Sequence, residues 1–129
     1  PLDWREREII ERHPQIAADA IPDPLNDVVE AAHAVALTHH ERWDGNGYPD
    51  GLAGEEIPLI GRIVAIADVL DALLSDRCYR DAVCWDEALQ VLREEEGRHF
   101  DPTAVRAFFQ VLPKVKDIYG PQRDHDDAA

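Results

Sequence analysis

The chain has 129 residues, enough for one domain, and its 45% hydrophobic content is ordinary for a packed core. Against 27 Asp and Glu stand 13 Lys and Arg, a formal charge of −14, so the surface repels polyphosphate and duplex nucleic acid is excluded as a natural partner. No apolar run reaches transmembrane length and no basic segment opens a leader, while two cysteines without CxxC spacing fit a reducing, cytoplasmic setting.

The pattern is helical almost throughout, so the expected class is all-α. Asp3 to Glu6 reads as a capping box opening a helix through Ile9 and Ile10 to about His13. Pro14 suits the first position of a short second helix, Gln15 to Ala20. After Pro22 and Pro24, Asn26 or Asp27 caps a third helix. It carries Val28, Ala32, Val35 and His39 in one row and Val29, His33, Ala36 and His40 in the next. Both rows are expected to face the core, with the two histidines ending the buried stripe.

From Glu41 to Pro58 the chain is rich in glycine and proline, and a stretch of that length without periodicity is usually functional. Leu59 to Ser75 reads as a helix apolar on nearly every side. A further helix is expected from about Asp86 to Glu96, stopped by Gly97. A last one starts at Asp101-Pro102 and runs past Phe109 to Leu112 or beyond. No β-alternation appears. One domain over residues 1–119 is expected, followed by a polar, disordered tail over 120–129.

Chemistry is concentrated in a few polar residues. Neighbours on a helix point about 100° apart, so His39 and His40 are expected to serve two adjacent ions rather than one. A pair of polar residues at a fraying helix end is the bland alternative. Asp68 and Asp71 stand in the apolar run Ile63–Leu73, where a carboxylate is costly without a strong partner. That partner is either an arginine such as Arg62 or Arg77, or a cation. Beside His13, His39 and His40, metal ligation explains Asp68 better. Such a nitrogen-rich set suits Fe, Mn or Zn rather than Ca²⁺ or Mg²⁺. Arg77 and Arg80, three residues apart, are candidates for gripping a phosphate. Surface pairing with Asp76 or Asp81 is the alternative.

The run His39-His40-Glu41-Arg42-Trp43-Asp44-Gly45-Asn46-Gly47-Tyr48-Pro49 resembles the HHExxDGxGYP pattern of HD-GYP domains. The likeness continues through Gly54–Pro58, Arg62–Asp68, Ser75-Asp76-Arg77 and His99–Pro102, and Glu11–Pro14 is similar to the family's segment with a histidine before a proline. It covers Trp4 to about Leu112. The resemblance implies the C-terminal helices of an HD-type bundle crossed by the Gly-rich loop. It also implies His13, His39, His40 and Asp68 as ligands of two or three divalent ions, with Fe or Mn favoured. By the same likeness Arg77 and Arg80 hold substrate phosphate, while Gly47, Tyr48 and Pro49 shape the ligand pocket and a contact with GGDEF-type cyclases.

The implied substrate is cyclic di-GMP or a related cyclic dinucleotide, opened to pGpG or GMP by in-line attack of an activated water on phosphorus. No HDxGK segment stands before Trp4, so the His-Asp pair that carries catalysis in this family is not within the sequence. The chain starts at Pro1 and has no methionine, which is expected of a piece of a longer protein. Two readings follow: part of an active phosphodiesterase, or an inactive binding module that meets a cyclic dinucleotide or a cyclase partner. His125-Asp126 stands in the polar tail and is read as coincidence. By resemblance His33 and His99 have no ligand role.

Overall fold

The computed structural model describes residues 1–21, 26–76 and 82–119. It is all-α. The helices are α1 (Trp4–Glu11), α2 (His13–Ala20), α3 (Asp27–Thr38), α4 (Leu59–Asp76), α5 (Ala82–Glu94), α6 (Pro102–Gln110) and α7 (Leu112–Tyr119), with a 3-10 turn at Gly54–Glu56. The described residues form no strand, only an isolated bridge between Glu96 and Phe100.

Local signals set most boundaries. The Asp3 carboxylate accepts from the Arg5 and Glu6 amides while Glu6 accepts from the Asp3 amide, the reciprocal box that the sequence announces. Asn26 accepts from the Val29 amide to cap α3, and Asp101 accepts from the Thr103 amide to cap α6. The last helix is two helices, not one. Pro113 has no amide to give to the Phe109 carbonyl, so α6 closes at Val111 and the chain restarts as α7. The helix expected from Asp86 begins earlier, at Ala82.

The core lies on α4, α5 and α6. Leu92 is wholly buried, and Phe100 and Val105 are 1% exposed, packed with Ile66, Leu70, Leu74 and Leu89. α4 touches α3, α5 and α6, which makes it the spine of the molecule. The two valine rows of α3 do not both face inward. Val28 is 77% exposed and Ala32 is exposed, whereas Val29, Val35 and Ala36 are half-buried. α3 packs against both α2 and α4, and its C-terminal end carries the close contact with α4. There Gly61 of α4 lies against Thr38, and a Cβ at Gly61 would stand 2.2 Å from the Thr38 hydroxyl oxygen. Close backbone approach at this point requires glycine.

Arg62 ties the loop to this core. Its guanidinium donates to the Asp101 carboxylate at 2.7 Å and to the Ile57 carbonyl at 2.9 Å, and the Asp101 side chain is nearly buried. Arg62 is therefore engaged with Asp101, not with Asp68. Asp71 instead accepts from the Tyr119 hydroxyl at 3.1 Å, which fastens α7 to α4. Arg77, Arg80 and the tail expected over 120–129 lie outside the described residues.

Candidate metal centre

α2 and α3 run antiparallel, which brings the first residue of α2 beside the last turn of α3. His13 meets His40 at a ring-centroid distance of 4.8 Å and His39 at 6.0 Å. His39 and His40 lie 4.0 Å apart. One nitrogen from each of the three falls within 4.8 Å of the others, a spacing that admits a shared ion. The two adjacent histidines are thus closer than helical spacing predicts. α3 ends at Thr38, so His39 is the cap residue and His40 already belongs to the following turn.

Two of the imidazoles are oriented by backbone. His39 Nδ1 donates to the Val35 carbonyl at 2.7 Å, and His13 Nδ1 donates to the Ile10 carbonyl. In each ring this places a proton on Nδ1, so that Nε2 is the nitrogen left to face a metal. His40 has no such bond to its ring among the described residues. Its imidazole stacks on Tyr48 at 5.0 Å with 19° between the planes. Burial, together with the neighbouring imidazoles of His39 and His13, pushes His40 down to about 4, with Asp68 acting in the opposite sense. His40 is accordingly neutral near pH 7, the form that donates to a metal. Three converging imidazoles are a donor set that fits a divalent transition metal.

Asp68 is exposed on α4 and does not join the tight group of three. Its charge nevertheless acts on His40, Tyr48 and His99, which puts it at the same end of the bundle. The loop residues form the wall of this end. Gly47 is wedged against the preceding turn, where a Cβ would stand 2.5 Å from both the Arg42 nitrogen and the His40 carbonyl oxygen. Tyr48 faces His13 as well as His40. The Tyr48–Pro49 peptide is cis.

Two residues escaped the sequence reading. Glu41, 2% exposed, accepts from the Asp50 amide at 2.8 Å and the Leu52 amide at 3.0 Å. The signal was its place between the histidines and a loop whose amides need acceptors. His99 stacks on Phe100 at 4.3 Å, its carbonyl accepts from the Trp43 amide at 3.0 Å, and burial lowers its imidazole pKa. Its interaction with His40 brings it into the electrostatics of the centre, although the likeness that includes His99–Pro102 gave it no ligand role.

A helical bundle with an imidazole cluster at one end is the class that fold and site define. The HD domain family matches residues 1–104, and the chain belongs to that family. It is 46% identical over 115 residues to a cyclic di-GMP phosphodiesterase response regulator of Xanthomonas campestris pv. campestris, covering 89% of this chain and 30% of the relative. It is 45% identical over 122 residues to a cyclic di-GMP phosphodiesterase of Vibrio cholerae serotype O1, covering 91% of this chain and 25% of the relative. These relatives agree with the HD-GYP likeness of His39–Pro49. Among solved structures, a cyclic GMP-AMP specific phosphodiesterase of V. cholerae aligns with a TM-score of 0.64 and 24% identity, over 96% of this chain and 32% of that one, which shows a shared fold. The chain spans about a third or less of the length of these proteins. No described helix is long and apolar enough to cross a membrane.

Proposed function

We propose that this chain forms part of a metal-dependent phosphodiesterase that hydrolyses cyclic di-GMP or a closely related cyclic dinucleotide. The observation that carries the reading is the convergence of His13, His39 and His40. Relatives named cyclic di-GMP phosphodiesterase support the substrate class and favour hydrolysis over a purely binding role. The contact with a GGDEF-type cyclase is no part of the proposal.

In this reading the three histidines and Asp68 hold divalent ions, Fe or Mn, two or three in the complete site. Imidazole-rich donors favour these metals over Mg²⁺. When bound, such ions stabilise charge developing on phosphate oxygens and acidify water. The chain's own residues prepare the site. The Val35 and Ile10 carbonyls hold His39 and His13 in the right tautomer, and the low basicity of His40 keeps a proton from competing for its nitrogen. Tyr48 closes one side of the cluster against water. Arg77 and Arg80 are the proposed phosphate contacts, on the strength of the HD-GYP likeness.

Metal analysis of the intact protein tests this. His39→Ala is expected to lose most of the bound metal and cyclic di-GMP turnover in the presence of Mn²⁺, with its thermal stability in chelator changed little. Metal content unchanged in both His39→Ala and Asp68→Ala would defeat the ligand assignment.

A further inference from the structure

We infer that Glu41 is a positioning residue for the metal centre, acting on His40 through the Gly-rich loop and Tyr48; the inference rests on the metal reading of the three histidines. His13 and His39 are each steered by a backbone carbonyl, whereas the ring of His40 takes its orientation from the Tyr48 ring stacked upon it. Tyr48 lies in a loop with no regular secondary structure of its own, so something must hold that loop in place. Glu41 does so from beneath. Its two carboxylate oxygens accept separately from Asp50 and Leu52, two and four residues beyond Tyr48. At the near side the Tyr48 amide donates to the His40 carbonyl at 3.3 Å, and Gly47 lies flat on the His40–Arg42 backbone.

The loop is thus pinned on both sides of Tyr48 by the segment that carries His40. The Glu41 side chain faces no described cation and is almost wholly buried, so its acceptors are spent on the loop. Gln at this position keeps the shape but turns one acceptor into a donor, which then confronts a backbone N–H. The ammonium or guanidinium of a partner is not needed for the carboxylate to be held. Two backbone amides do it.

The test uses the intact protein with cobalt(II) as the probe, in wild type, Glu41→Gln, Tyr48→Leu and the double variant. Affinity is read from cobalt absorption and loop opening from amide hydrogen exchange at Asp50 and Leu52. Glu41→Gln is expected to exchange faster at these amides and to bind cobalt about tenfold to a hundredfold more weakly, the range for groups that orient a metal-binding histidine. In the Tyr48→Leu background the same change is expected to add less than about twofold, because the path to His40 is already cut. A merely structural glutamate would lower the melting temperature without moving cobalt affinity, or its effect would multiply with that of Tyr48→Leu. Either result overturns the inference. Wild type that binds no cobalt would instead overturn the metal reading itself, and the inference with it.

Discussion

Where α2 begins and α3 ends, three imidazoles bring their nitrogens within 4.8 Å, whereas the face built by α4, α6 and α7 borders a cavity of about 930 Å³. That cavity is walled mainly by apolar side chains, among them Ile63, Leu70, Phe108 and Ile118, and contains no histidine. Of its four charged groups, Arg62 and Asp101 satisfy each other and Arg106 donates to the Pro102 carbonyl. Space and chemistry are therefore in different places. The larger void offers one further carboxylate, Glu55, and no imidazole, whereas the small cluster has three converging nitrogens and one imidazole of depressed basicity. Convergent donor atoms, rather than volume, are the ground on which the candidate site is placed at the histidine end.

The two regions also differ in what holds them. The core around Leu92 is held by burial, so Leu92→Ala is expected to cost about 2–5 kcal/mol. Urea unfolding measures that loss. The folded fraction should keep its metal content, because His13, His39 and His40 lie on α2 and at the end of α3, outside the elements that carry the leucine cluster. Metal loss at constant secondary structure would show that the two regions are not separable.

A smaller effect is expected where they join. At Gly61 a methyl group would collide with the Thr38 hydroxyl, which donates to the Ala34 carbonyl at 2.6 Å one residue before His39. Gly61→Ala should therefore cost about 1–3 kcal/mol as overpacking. Unlike Leu92→Ala, it should also weaken metal binding, since it displaces the end of α3. Calorimetric unfolding with and without Mn²⁺ separates the two contributions.

The smallest effect concerns the loop's outer edge. The Arg42 guanidinium, helped by the Asn46 amide, holds the Asp44 carboxyl at about 2, below its ordinary 3.8, against a modest burial penalty. As pH falls, the unfolded chain takes up this proton first. The stabilisation is thus present above the ordinary carboxylate value and is lost as pH drops toward about 2. For a partly exposed pair it amounts to less than about 1 kcal/mol. Urea midpoints of wild type and Asp44→Asn should differ near neutrality and converge in acid. A gap that persists at low pH would assign the stabilisation to shape rather than charge.

The sequence by itself determined the all-α class, the caps at Asp3 and Asp101, a cap at Asn26 or Asp27, the loop from Glu41 to Pro58, and three histidines as metal candidates. These features depend on residues within a turn or two of one another, and on a glycine-rich pattern long enough to be specific. Only the tertiary structure decided what depends on distant elements. His13 reaches His39 and His40 because α2 folds back along α3, and the two adjacent histidines converge because the helix stops beneath them. Val28 stays exposed at the start of α3, whereas the far end of the helix packs against α4 at a contact that a single glycine permits. The buried carboxylate of Glu41 was present in the pattern, but its role was not. Which amides it serves is settled by a loop that returns nine and eleven residues later, a closure that periodicity cannot encode and that only packing fixes.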